Sequence, residues 1–324
     1  MTRVLVTGAD GFIGSHLVEA LVARGCNVRA MALYNSYGRR GWLDALPPET
    51  LARVEVVMSD IRDARLCAQA VKECAVVYHL AAWGGVPFSF VAPQTYIDTN
   101  VTGTSNVMLA ALDAGCSRVL HTSTSEIFGT PDTVPISEHN GRKPQSPYAA
   151  SKVAADALVQ SYVASFGLPA VICRPFNTYG PRQSDRAVIP TIVGQLLAGA
   201  RTLRLGALDP TRDLTYVTDT CAGMIALAES GLTGEFNLGT GTEIRIGDLA
   251  RRLMELTGCE AEIHCEPTRL RPGQSEVMRL LSDNRRVQQA TGWAPAVSLD
   301  DGLQRTIDWL RENQNTVRPL TYAV

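Results

Sequence analysis

Apolar and polar positions follow two alternating rhythms along the first half of the chain. Arg3-Val4-Leu5-Val6-Thr7 is a short apolar run rich in valine, which reads as a strand. Gly8-Ala9-Asp10-Gly11-Phe12-Ile13-Gly14 follows at once. His16-Leu17-Val18-Glu19-Ala20-Leu21-Val22 then carries apolar residues at helical spacing, closed by Gly25. A second strand is expected over 28–33, with further strands at 54–58, 76–80, 118–122 and 170–174 and helical stretches between them. Strands alternating with helices predict an α/β fold built on a Rossmann-type, doubly wound parallel sheet. After about residue 179 the rhythm breaks, punctuated by Pro181, Pro190, Pro210, Pro267, Pro272 and Pro295. A smaller α/β substrate-binding domain is expected there. Segments 214–217 and 236–238 read as strands returning to the main sheet. The division is therefore discontinuous: 1–178 with about 213–238 for the dinucleotide, and 179–212 with 239–324 for the substrate.

Composition narrows the class. Of 324 residues, 45% are apolar and 19% charged, enough to bury a core and too much apolar content for a disordered chain. A net charge of −2 lacks the broad basic field of a nucleic-acid binder, so no nucleic-acid partner is expected. No apolar run approaches the roughly 18–20 residues of a membrane span, and no membrane partner is expected. The N-terminus shows no signal peptide, and the eight cysteines are scattered without a C-x-x-C. These features predict a cytoplasmic protein with no metal site.

Gly8, Gly11 and Gly14 stand between a strand and a helix, where each has a physical task. Gly8 permits a tight turn, Gly11 lets the backbone approach a pyrophosphate, and Gly14 lets the helix pack close. The helix N-terminus, starting at Phe12 and Ile13, offers N–H groups to the phosphates. This placement predicts a dinucleotide site. Asp60 and Ile61 follow the third strand, where a carboxylate and an apolar side chain can hold adenine. Leu80, Ala81 and Ala82 end the fourth strand with small residues that leave room for a cofactor. The second strand is unusual, because Ala30-Met31-Ala32-Leu33-Tyr34-Asn35-Ser36 lacks the carboxylate that usually takes the NAD ribose. Arg39 and Arg40 follow it. They suit either the 2′-phosphate of NADP or an ordinary solvated loop. NAD is expected, with NADP left open.

Tyr148 and Lys152 are four residues apart, hence on one helix face. An ammonium beside a phenol, with a nicotinamide cation near, lowers the phenol pKa towards working pH and makes it a proton acceptor for an alcohol. Alone, this spacing is also that of any amphipathic helix. His121-Thr122-Ser123-Thr124-Ser125-Glu126 changes the picture, since it places hydroxyls and one carboxylate at the carboxyl end of a strand. Thr124 suits a hydrogen bond to the reacting hydroxyl, and Glu126 offers a second base.

Together, Gly8-x-x-Gly11-x-x-Gly14, Thr124 and Tyr148-x-x-x-Lys152 resemble the extended short-chain dehydrogenase/reductase family acting on nucleotide sugars, over essentially the whole chain. Ser123-Thr124-Ser125-Glu126-Ile127-Phe128-Gly129 is similar to the corresponding motif of GDP-mannose-type 4,6-dehydratases. Pro210-Thr211-Arg212-Asp213-Leu214, and Arg271-Pro272 with Ser275-Glu276-Val277, resemble LegB-type nucleotide-N-acetylhexosamine 4,6-dehydratases. The resemblance implies a nucleotide-diphosphate sugar as substrate. Its 4-hydroxyl would be oxidised with Tyr148, Thr124 and Lys152. Glu126 would then remove the C5 proton, and the C6 hydroxyl would leave as water. Many relatives carry an aspartic acid at the position of Ser125 to protonate that hydroxyl; here Glu126 or water would do so. Asn177 would contact the diphosphate or sugar, and Arg212 and Arg271 the diphosphate. Segments 188–190 and 203–205 would cradle the base, and the aromatic segment 83–90 would overlie the sugar. The family also implies a homodimer through helices near 95–114 and 148–165. Alternatives are a 4-epimerase, a nucleotide-glucuronate decarboxylase whose carboxylate-binding arginine the sequence does not identify, and a non-catalytic cofactor sensor. The sensor reading is opposed by the presence of both Tyr148 and Lys152.

Overall fold

A computed structural model describes residues 2–314. Its strands are β1 (Arg3–Thr7), β2 (Asn27–Leu33), β3 (Val54–Ser59), β4 (Val76–His79), β5 (Arg118–Thr122), β6 (Ala170–Pro175) and β7 (Asn177–Tyr179). There follow β8 (Thr202–Leu205), β9 (Thr211–Arg212), β10 (Leu214–Tyr216), β11 (Gly234–Leu238), β12 (Ile244–Arg245), β13 (Glu262–Cys265) and β14 (Arg279–Leu280). The main sheet has seven parallel strands in the order β11-β6-β5-β4-β1-β2-β3. The chain winds outward from β1 in both directions, so the order reverses between β1 and β4. Ligands bind outside the carboxyl ends of strands at such a switch point.

The pleat sorts the strand residues between two faces. Val4, Val6, Ala30, Tyr78, Leu120 and Cys173 pack with the helices Phe12–Ala23 and Val217–Glu229. Leu5, Met31, Val77, Val119 and Ile172 pack on the opposite side with the helices Ala64–Val71, Gly103–Asp113 and Pro147–Phe166. Both faces are covered by helices, which is why the strands read as continuous apolar runs rather than alternating ones.

The segment 236–238 joins the main sheet as expected, within β11 beside β6. The segment 214–217 does not. Leu214–Tyr216 forms β10 and pairs in parallel with β7, in a separate two-stranded sheet. The sequence carries no mark of that partner, because a three-residue apolar strand looks the same in either sheet. The helix expected over 95–114 is also interrupted. Pro93–Tyr96 leads into a π turn at Ile97–Thr102 before Gly103–Asp113 resumes α geometry. Beyond β7, the helices Val188–Leu197, Ile246–Thr257 and Leu299–Glu312 contribute Ile192, Leu253 and Ile307 to the cluster that contains Val4. Among the described residues no helix is long and apolar enough to cross a membrane.

Candidate active site

The glycine turn links the carboxyl end of β1 to the helix Phe12–Ala23. Gly8 has φ +67°, and a Cβ on it would lie 2.8 Å from the Ala81 backbone. Only glycine brings the turn this close to the end of β4. A Cβ on Gly14 would lie 2.1 Å from the Gly8 carbonyl oxygen, so the helix sits directly on the turn. Gly11 differs. Its Cβ would meet only that carbonyl, at 3.2 Å, and otherwise open space. Gly11 is also the helix N-cap and supplies no side-chain cap. The first-turn N–H groups therefore open onto a cradle that a Cβ would begin to fill, which fits a pyrophosphate. Phe12 and Ile13 begin the helix and pack against the core. The Thr7 hydroxyl accepts from the Leu80 and Ala81 N–H groups, both at 3.1 Å, and bonds His79 Nδ1 at 2.8 Å. This fixes the start of the 80–82 segment beside the turn.

At the adenosine end the expected residues are more committed than the sequence suggests. Asp60 is gripped by the Arg62 guanidinium at 2.6 and 3.0 Å, which holds its carboxyl below the usual range. Ile61 is 4% exposed and fits under Gly103, whose missing Cβ would lie 2.5 Å from its Cδ1. Ile61, expected to contact adenine, thus also packs into the core. Arg40 is tied to Asp44 through Nε at 2.7 Å and its backbone N–H at 2.9 Å. Arg39 lies in the exposed loop, with its backbone bonded to Asn35.

The carboxyl end of β5 carries the second constellation. Thr124 caps the 3-10 turn Ser125–Phe128, its hydroxyl accepting from the Glu126 N–H at 3.2 Å. Thr124, Ser125 and Glu126 are all buried. Across from them the helix Pro147–Phe166 begins under a Ser146 cap, with Pro147 in its first turn. That start sets Tyr148 and Lys152 on one face. Thr124 hydrogen-bonds the Tyr148 phenol, and the Tyr96 and Tyr148 rings meet edge to face with their centres 6.2 Å apart. Lys152 Nζ donates to the Thr122 carbonyl at 2.6 Å. Burial pulls the Lys152 ammonium down to about 8, opposed by Asp156. Burial pushes the Tyr148 phenol up to about 12; the Thr124 hydrogen bond opposes this and Glu126 reinforces it. The lowering expected from Lys152 is therefore not supplied by the chain alone. Desolvation is the largest influence on the phenol, and one of the three Lys152 N–H donors goes to a backbone carbonyl.

Beneath this pair lies a polar network that the sequence reading missed. Asp156 is fully buried and accepts from Ser123 Oγ at 2.8 Å and from Arg174 Nη2 at 2.9 Å. Burial pushes its carboxyl up, but His121 and Arg174 outweigh that and hold it at about 2. Burial in turn pulls His121 down to about 4 and His79 well below its ordinary value, so both rings are neutral at pH 7. Arg174 continues to Glu235 at 2.6 Å. One signal existed: Asp156 lies four residues beyond Lys152, the next step along the same helix face.

The arginines expected at the diphosphate meet around one carboxylate. Glu276 accepts from Arg212 Nη2 at 2.8 Å and lies 3.5 Å from Arg271 Nε. Arg271 also presents its fork to Glu126, at 3.3 and 3.4 Å. The Asn177 amide oxygen is buried without a hydrogen-bond partner among the described residues, leaving acceptor capacity for a ligand. The segments expected to cradle the base are largely internal. Ile189, Leu203 and Leu205 are buried in the main cluster, because β8 packs against the helix Val188–Leu197. Trp83 is partly exposed, stacks obliquely on Phe88 and Tyr96, and is pinned by Asn100 through its backbone N–H and carbonyl.

The sequence model of the family described as GDP-mannose 4,6 dehydratase matches residues 5–306. A dTDP-glucose 4,6-dehydratase of Streptomyces antibioticus is 34% identical, over 98% of this chain and 95% of its own. A UDP-glucose 4-epimerase of Mycolicibacterium smegmatis is 35% identical, over 95% and 98%. A UDP-N-acetyl-alpha-D-glucosaminuronate decarboxylase of Bacillus cytotoxicus is 34% identical, over 97% and 99%. Among solved structures, a dTDP-glucose 4,6-dehydratase of Streptomyces venezuelae with NAD and TYD bound superposes with a TM-score of 0.86 at 33% identity, covering 99% of this chain and 100% of that one. Sequence, sheet order and superposition agree. The chain belongs to the GDP-mannose 4,6-dehydratase family, within the extended short-chain dehydrogenase/reductases that act on nucleotide sugars.

Proposed function

We propose that this chain is a nucleotide-sugar 4,6-dehydratase that uses NAD and yields a 4-keto-6-deoxy sugar. In this reading 1–178 with about 213–238 hold the dinucleotide, and 179–212 with 239–324 hold the nucleotide sugar, in a cytoplasmic enzyme. The observation that carries it is Glu126, a buried carboxylate close enough to the Tyr148 phenol to raise its pKa. Oxidation at C4 needs one base; elimination across C5 and C6 needs a second. When bound, the nicotinamide ring accepts hydride from C4 and returns it to C6. Tyr148 takes the proton of the C4 hydroxyl while Thr124 holds that oxygen. Lys152 keeps positive charge under the site. The resulting ketone acidifies C5, Glu126 takes the C5 proton, the C6 hydroxyl leaves as water with a proton from Glu126 or water, and C5 regains a proton exchanged with solvent as hydride arrives at C6. Ser125 is a poor acid at neutral pH, so the leaving proton is not assigned to it. Asn177, Arg212 and Arg271 would hold the diphosphate end of the substrate.

A second reading, decarboxylation of a nucleotide-linked uronate, gains from one specific placement. The guanidinium of Arg271 lies against Glu126, which supports reading it as the arginine that would take a substrate carboxylate. A 4-keto uronate loses carbon dioxide without a C5 base. Substitution of Glu126 separates the two. In Glu126→Gln, dehydration is expected to fall roughly 10²–10⁴-fold, the range for a general base. C4 oxidation would continue, so reduced nicotinamide absorbance builds up in proportion to enzyme. Unimpaired turnover in that variant would sink the dehydratase reading.

A further inference from the structure

β2 ends without a carboxylate of its own, yet a carboxylate stands at its end. Asp10 belongs to the glycine turn, and its Oδ2 accepts from the N–H of Leu33, the last residue of β2, at 3.2 Å. We propose that Asp10 supplies the carboxylate that β2 lacks, binding the adenosine ribose hydroxyls and selecting NAD against NADP. The inference rests on this site holding a nicotinamide dinucleotide and not on the dehydration chemistry.

Asp10 is held from both sides. Its backbone carbonyl accepts from Trp42 N–H at 2.9 Å, and a Cβ on Gly41 would lie 2.4 Å from that same oxygen. Gly41, at φ +57°, thus lets the loop after β2 close against the turn. The partners of the carboxylate are N–H groups, those of Leu33 and of Asp10 itself. No ion pair to Asp10 occurs among the described residues. A carboxylate accepts about four hydrogen bonds, so capacity remains for hydroxyl donors. Its uncompensated negative charge, half withdrawn from water, repels a phosphate dianion in the same place. The basic residues nearby do not offset it. Arg40 is committed to Asp44, and Arg39 extends from the exposed loop.

The test measures binding of NADH and NADPH to the full-length protein by nucleotide fluorescence, without sugar substrate. Any nucleotide that co-purifies is first extracted and identified by mass spectrometry. Wild type is expected to prefer NADH, by the roughly tenfold to hundredfold that a hydrogen bond to a charged group carries. Asp10→Ala should weaken NADH and narrow the preference. Asp10→Asn keeps an acceptor for the Leu33 N–H, guarding against a folding artefact, and should gain NADPH affinity as the repulsion disappears. An unchanged preference in both variants overturns the proposal. So does a wild-type preference for NADPH that Arg39→Ala abolishes. Sugar turnover does not enter, so failure here is distinct from failure of the dehydratase reading.

Discussion

Tyr148 is hard to ionise with the groups of the chain alone, since burial holds it at about 12. Its pull towards working pH would come from the Lys152 ammonium acting together with a bound nicotinamide cation. That ammonium titrates at about 8. The turnover number should therefore fall as pH rises through about 8, measured at saturating substrate. A rate that stays level a full unit above that point would remove Lys152 from the mechanism. Stability moves the other way. Folded Lys152 releases its proton at about 8 and unfolded Lys152 near 10.5, so between these values the unfolded chain binds more protons and folding is favoured as pH rises. Loss of rate in this window is then not unfolding. At this scale the sequence is legible where chemistry is local: Thr124, Glu126, Tyr148 and Lys152 show in two short motifs. Asp156 shows only as the next step along the Lys152 face, and what pairs it with Arg174, and Glu276 with Arg212, is the fold.

Among the elements, the glycine turn is the most legible and separates fold from function. Gly14→Ala would drive a methyl into the Gly8 carbonyl. It should lower stability by about 1–3 kcal/mol or more, read as a fall in Tm. Gly11 has φ −83°, which alanine tolerates, and its Cβ would face mostly open space. Gly11→Ala should melt near wild type and lose NADH binding. A Gly11→Ala protein that binds NADH normally would contradict a pyrophosphate at this turn. Strand pairing is less legible than strand existence. Leu214–Tyr216 is a strand, but its partner is Asn177–Tyr179, which the chain reaches only after leaving β6 at Pro175. The π turn at Ile97–Thr102 has no compositional signal either; it places Asn100 against both Trp83 and Ser151.

For the whole molecule, alternating strands and helices suffice to predict the doubly wound sheet, because burial on both faces leaves continuous apolar runs. Subunit association is a question for this scale. The helices Gly103–Asp113 and Pro147–Phe166 leave Leu109 and Phe166 exposed. A homodimer through these helices is the expected assembly. Light scattering should give a dimer mass for wild type and a smaller one for Leu109→Asp, with the fold intact because Leu109 is at the surface. A wild-type monomer would rule out this assembly.

What leaves the sugar distinguishes dehydration from its alternatives most directly. Purified enzyme is incubated in deuterated water with UDP-GlcNAc, GDP-GlcNAc, GDP-mannose, UDP-glucuronate and dTDP-glucose, and the products are weighed by mass spectrometry. A 4,6-dehydratase loses water and retains one solvent deuteron, and the substrate that turns over names the base and the sugar. An unchanged mass with altered retention, or loss of carbon dioxide from the uronate, would contradict the dehydratase reading and take the C5 base role from Glu126.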